Sequence, residues 1–178
     1  MGFPSVRKDD IILCGSIYAI TKEIRNKFVQ FITQAKEKGG IIIYDPNFRS
    51  AHASELDELK PLILENMKMA GIIRGSDEDF KSIFRAASPD SAWEVVRKYC
   101  NCMVYTASSD GVYVRTPSFS GQFPVNKITP VSTIGAGDNF NAGMIAAIYT
   151  NSITCEELEV MGEEKWRKII TSGVSFAT

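Results

Sequence analysis

Four short apolar runs set the terms of this fold: Ile11-Ile12-Leu13-Cys14, Ile41-Ile42-Ile43-Tyr44, Gly71-Ile72-Ile73-Arg74 and Met103-Val104-Tyr105-Thr106, with helical spacing between them. The second is β-branched and apolar on both faces, as a central parallel strand between helical layers has to be. From Thr21, a candidate N-cap, Ile24, Phe28, Phe31, Ile32 and Ala35 recur at helical intervals, and Gly39-Gly40 supplies a stop. Ser54 with Asp57 opens a second helix with the inward stripe Leu56, Leu59, Leu62 and Ile63. Ser76 with Asp79 caps a short helix carrying Phe80 and Ile83, and Ser88-Pro89 starts another. After Asp110-Gly111, strand formers at Val112-Tyr113-Val114 and from Phe119 to Val125 predict a β-meander. A long helix then runs from about Ala136 to Tyr149, and Thr154 with Glu157 caps a further helical segment. This alternation predicts a parallel, right-handed α/β sheet with its ligand crevice beyond the carboxyl ends of the strands, which nominates Asp45 to Arg49 and Arg74 to Asp79.

A chain of 178 residues is expected to form a single α/β domain over 1–178. Twenty lysines and arginines against 21 aspartates and glutamates leave a net charge of -1, which supplies no footprint for nucleic acid or an acidic membrane and favours a small-molecule partner. One histidine, His52, rules out HExxH zinc sites and multi-histidine metal centres, so catalysis falls to carboxylates, lysine or arginine. In its polar segment His52 reads as a solvated loop residue rather than a catalytic one. Cys14, Cys100, Cys102 and Cys155 form no CxxC pair, and the N-terminus has no signal-peptide pattern, so reduced, packed thiols in a cytoplasmic protein are expected. No apolar stretch approaches the roughly 20 residues that span a bilayer.

The most informative segment is Val131-Ser132-Thr133-Ile134-Gly135-Ala136-Gly137-Asp138-Asn139-Phe140-Asn141-Ala142-Gly143. Its paired glycines let several N–H groups aim at one point, and the apolar residues that follow make the turn a helix N-terminus, an anion site. A first-turn aspartate also suits the helix dipole with no catalytic duty. A Walker-type phosphate loop would need a lysine that is missing, and G-x-G-x-x-G fails because Phe140 stands at the third glycine. A dinucleotide fingerprint would also open the first βα unit rather than follow a meander.

Thr133-Ile134-Gly135-Ala136-Gly137-Asp138 with Phe140 and Gly143 resembles the D-T-x-G-A-G-D-x-F signature of the ribokinase-like (PfkB) carbohydrate kinases. The resemblance implies a three-layer α/β/α sandwich of ribokinase-like type, present in part, and ATP-dependent phosphorylation of a sugar hydroxyl with Mg2+. It gives Gly135, Ala136 and Gly137 the anion hole for the transferred phosphoryl group, and Asp138 the role of base. Phosphoryl transfer is mostly positioning and charge stabilisation, so one well-placed base suffices. Asp45-Pro46-Asn47-Phe48-Arg49 resembles the D-P-N-x-R segment of fructokinase-like and 2-keto-3-deoxygluconate kinase-like members, which assigns Asp45, Asn47 and Arg49 to substrate or phosphate; alone, it also reads as a strand-end turn with a surface arginine. Ser76 and Asp79 stand where the family has N-x-x-E, a motif that organises magnesium through water, and helix capping accounts for the same residues. Thr106 to Gly111 resembles the family's T-x-G-x-x-G turn with Ser108 in place of glycine, which assigns Thr106 and Gly111, together with Thr133 and Asn141, to the nucleotide. Ser132 replaces the usual aspartate in a region that helps hold a monovalent cation in several relatives, which leaves potassium dependence open.

The resemblance covers about Asp9 to Thr178, whereas family members are longer. Their N-terminal portion, carrying the first strands, most sugar contacts and a small lid sheet, is expected to be missing here, through either fragmentation or natural truncation. Two classes of function follow: the nucleotide-binding, catalytic-base half of a sugar kinase acting on a fructose-like or 2-keto-3-deoxygluconate-like ketose, which needs residues missing here so that the isolated chain is expected to be inactive, or a non-catalytic adenine-nucleotide-binding or interaction module on the same scaffold. A sheet lacking a neighbour also predicts pairing with another chain, a homodimer included. A dinucleotide-dependent oxidoreductase is disfavoured by the glycine spacing.

Overall fold

The computed structural model describes residues 3–125 and 134–177. Six strands form one sheet in chain order: β1 (Ile11–Gly15), β2 (Ile41–Asp45), β3 (Ile72–Ser76), β4 (Met103–Thr106), β5 (Val112–Arg115) and β6 (Ser120–Phe123). The first four run parallel, and β5 and β6 add antiparallel, which is the expected meander.

Period-two alternation sorts the strand side chains into two cores. Ile42 and Tyr44 of β2, Ile73 of β3, and Met103 and Tyr105 of β4 face helices α1 (Arg25–Glu37), α2 (Leu56–Met69), α3 (Asp77–Phe84) and α4 (Pro89–Val96). Ile41, Ile43, Ile72, Val104, Val112 and Val114 face α5 (Ala136–Thr150) and α6 (Glu163–Ala177). The crossovers thus lie together on one face and the last two helices close the other, giving the three-layer α/β/α arrangement.

Helix α1 shows the local logic. Phe28, Ile32 and Ala35 are its buried stripe, and Gly39 ends it at φ 82°, a left-handed conformation that favours glycine. Its start differs from expectation: Thr21 lies between two 3-10 turns and donates its hydroxyl to Ile17 O, and α1 begins after Ile24. Likewise Ser54 falls within a 3-10 turn over Ser50–Glu55, so α2 starts at Leu56 without a side-chain cap. Short polar residues in both places favour tight turns as readily as caps, which is why spacing alone misplaced the starts. Thr154 and Glu157 do form a capping box, but on a 3-10 turn of three residues, and the C-terminal helix begins at Glu163.

At one edge of the sheet β1 pairs with β2 alone among the described strands, and Leu13, Ile17 and Tyr18 beside it are exposed. No described helix is long and apolar enough to cross a membrane.

Candidate functional site

The carboxyl ends of β1 to β4 meet the start of α5, and a buried polar network ties them. Arg74 of β3 donates through Nη1 to Asp45 Oδ2 at 2.8 Å and through Nη2 to Thr106 Oγ1 at 2.9 Å, joining the ends of β2 and β4. Asn141 of α5 donates Nδ2 to the same Asp45 oxygen at 2.7 Å. Asp45, Arg74 and Asn141 are 5%, 7% and 1% exposed, so the ion pair is well withdrawn from water and depends on these bonds to offset desolvation. The other Asp45 oxygen accepts Asn47 N–H at 3.1 Å and shapes the turn, where Asn47 takes the left-handed φ of 40°.

A second carboxylate fixes that turn from the far side. Asp79 accepts Phe48 N–H at 2.6 Å on Oδ1, and Ser76 N–H at 2.8 Å and Ser76 Oγ–H at 2.6 Å on Oδ2. Ser76 Oγ in return accepts Asp79 N–H, completing a capping box on α3. A carboxylate has about four acceptor positions, and Asp79 uses three of them within the protein. The remaining capacity suits one water. Among the described residues no cluster of three or more His, Cys, Asp or Glu could hold a metal ion.

Helix α5 opens on Gly135 at φ 79°, a residue with no side chain to cap it. The N–H groups of its first turn have no intrahelical acceptor, so they and the dipole offer positive potential at this end. Asp138 is exposed on that turn and lines a cavity of about 180 Å³ with Gly15, Ser16, Asp45, Asn47 and Asn141. On the other side of Asn47, a wider cleft of about 880 Å³ is lined by Arg49, Arg74, Ser76, Asp79, Lys81 and Gly137. One recess thus offers a carboxylate to a hydroxyl, and the neighbouring one sets the Arg49 guanidinium and the Lys81 ammonium among the carboxylates Glu78 and Asp79, with Arg74 held by Asp45 and Thr106.

The fold therefore collects Asp45, Asn47, Arg49, Ser76, Asp79, Thr106, Asn141, Gly137 and Asp138 around one crevice, while Gly135 and Ala136 begin the same turn and line neither recess. Thr106 reaches it through Arg74 and lines neither recess. Gly111 also lies off both recesses, and its φ of 106° and a Cβ position 2.5 Å from Phe123 O explain it as a hairpin glycine. Ser108 in the same turn adopts φ 43°, the conformation a glycine would take there. Thr133 and Ser132 lie outside the described residues. His52 sits in the 3-10 turn after Arg49, its Nδ1 3.8 Å from Glu55. The residue sequence reasoning left without a role is Arg74. An arginine interrupting the apolar run Ile72-Ile73 was the available signal, since a charge in a buried strand needs a partner.

A glycine-led helix start thus lies at the carboxyl end of a parallel sheet with a carboxylate beside it, a place in an α/β fold that suits an anion. Residues 4–176 match the pfkB family carbohydrate kinase model, and the chain belongs to that family. It is 29% identical to probable fructokinase-6, chloroplastic, of Arabidopsis thaliana over 92% of this chain and 43% of that protein. Against aminoimidazole riboside kinase of Salmonella typhimurium it is 26% identical over 80% of this chain and 45% of the relative. The crystal structure of the Salmonella enterica aminoimidazole riboside kinase, complexed with aminoimidazole riboside and an ATP analog, superposes with TM-score 0.83 at 21% identity, covering 99% of this chain and 57% of that one. Fructokinase from Vibrio cholerae O395 in its fructose, ADP and calcium form gives TM-score 0.77 at 24% identity, covering 98% and 54%. The chain thus spans about half the length of these relatives.

Proposed function

We propose that this chain supplies the phosphoryl-transfer half of an ATP-dependent sugar kinase, acting on a fructose-like or 2-keto-3-deoxygluconate-like hydroxyl in the cytoplasm. The observation that carries the reading is the glycine-led start of α5 between two recesses, one holding Asp138 and the other Arg49 and Lys81. In this reading the γ-phosphoryl group of ATP rests against the N–H groups of Gly135, Ala136 and Gly137, with Arg49 countering its charge from the Asn47 turn. A sugar hydroxyl in the smaller recess gives its proton to the Asp138 carboxylate as its oxygen bonds to phosphorus and the bond to ADP breaks. Thr106 and Asn141 hold the nucleotide side in place through Arg74 and Asp45. Ser76 and Asp79 would hold Mg2+ through water, and the ion would supply charge neutralisation for the transferred phosphoryl group.

Titration of the chain with ATP–Mg2+ and with fructose, separately and together, tests this, with ADP release as the activity readout. Sugar-dependent ADP release supports the kinase reading. Nucleotide binding that no sugar alters instead supports a non-catalytic nucleotide-binding module. Absence of nucleotide binding refutes both.

A further inference from the structure

We infer that Arg74 is a positioning residue for the Gly135–Asp138 turn, acting through Asp45 and Asn141; only the functional part of its test rests on the kinase reading. A guanidinium in the middle of a buried strand is costly unless each end is matched. Here the two Nη atoms are divided between strands, one on Asp45 of β2 and one on Thr106 of β4. Asp45 passes the constraint on, because its Oδ2 also receives Asn141 Nδ2 from the first turns of α5. Arg74 further lies over the Phe140 ring, with Cζ 5.5 Å from the centroid, so the cation also packs against α5 directly.

The glycines of the motif carry the imprint of this contact. Gly135 is required by its backbone, at φ 79° with open space around its Cβ position. Gly137 has no such φ, but a Cβ there would stand 3.1 Å from Arg74 Nη1, 3.5 Å from Nη2 and 3.6 Å from Cζ. The first glycine lets the chain turn, and the second lets α5 settle onto the guanidinium. Arg74 thereby fixes the height and rotation at which the helix start faces the crevice. Asp138 lies on the same turn, one residue beyond Gly137, so its carboxylate inherits that placement.

The test uses the full chain with two variants, Arg74→Lys and the paired Arg74→Met/Asp45→Asn. Lysine keeps the charge but cannot hold Asp45 and Thr106 together in one plane. The pair removes both buried charges at once, so the melting temperature should stay close to that of the parent chain. In both variants, hydrogen exchange at Asn139, Phe140 and Asn141 should quicken about tenfold relative to the C-terminal half of α5, a local opening that needs no ligand to be seen. ATP–Mg2+ affinity should fall with it in both variants, and in the paired variant it falls without loss of global stability. Unchanged exchange at these amides in variants that melt like the parent overturns the proposal. If the pair fails to fold, Arg74→Lys decides alone. Faster exchange in a chain whose parent form binds no nucleotide upholds the positioning role and removes the kinase reading.

Discussion

Replacing Asp79 by alanine isolates the tie between α3 and the Asn47–Arg49 turn. Three donors lose their acceptor: Phe48 N–H, Ser76 N–H and Ser76 Oγ–H. Hydrogen bonds to a charged group are worth about 1.5–3 kcal/mol, and loss of a helix cap costs about 1 kcal/mol. Ser76 is half-buried and its groups can turn to water, so the cap value applies to that pair and the larger value to Phe48 N–H. The expected cost of Asp79→Ala is therefore about 2.5–4 kcal/mol, or roughly 5–16 °C in Tm for a chain of this size. Ser76→Ala removes the cap and leaves the Phe48 bond, and should cost about 1 kcal/mol. Urea unfolding of the parent and both variants, read by tryptophan fluorescence and by circular dichroism, gives the comparison. If the two substitutions cost the same, the cap explains Asp79 and the Phe48 tie contributes nothing. If Asp79→Ala costs less than about 1 kcal/mol, the account of this carboxylate fails altogether.

Three further outcomes are expected. Asp138→Asn, in a chain that turns over, should lower kcat roughly 10²–10⁴-fold with ATP affinity nearly unchanged, because the amide keeps the size but cannot take the hydroxyl proton; a kcat within a few-fold of the parent removes Asp138 from the mechanism. Burial pushes the Cys14 thiol up to about 12 and the Cys100 thiol up to about 11, so the unfolded chain releases these protons first once the pH passes about 9. Their contribution to stability is complete below that point and is lost as pH climbs to the folded values, so the urea midpoint should be lower at pH 10 than at pH 8, and equal midpoints would contradict it. The open β1 edge with Leu13 42% and Tyr18 59% exposed should pair with a second chain as concentration rises in sedimentation velocity, and Leu13→Lys/Tyr18→Lys should abolish this; a parent chain that stays monomeric refutes it.

Much of this arrangement was legible from side-chain pattern. The all-apolar Ile41 to Tyr44 run could only be an inner strand, and it proved buried throughout. Ser76-x-x-Asp79 announced a cap because capping is local in sequence, and the capping box is present. What stayed hidden were relations between distant segments. That Asp79 also holds Phe48 spans 31 residues, and no spacing rule connects them. The same holds for Asp45, which the D-P-N-x-R segment assigned to substrate or phosphate, and whose carboxylate is engaged by Arg74 and Asn141. A motif identifies a residue's neighbourhood along the chain, whereas the partner that neutralises it comes from the crossing of strands.

The sheet is laid down in the order in which the chain is written, each strand beside its predecessor. Parallel neighbours are joined here by crossovers of about 25 residues, far shorter than the span that ties α5 to β2, and such a sheet can grow strand by strand. The turn that carries Asp138 follows a different schedule. Its link to β2 through Asn141 and Asp45 joins residues 96 positions apart, and α5 can dock only on a sheet that already exists. Side chains in the β1–β4 units are thus expected to acquire native contacts early, with high φ-values, and Asn141 and Phe140 late, with values near zero. A ribosome-bound chain halted before Ala136 would display nearly the whole crevice floor and none of its chemistry.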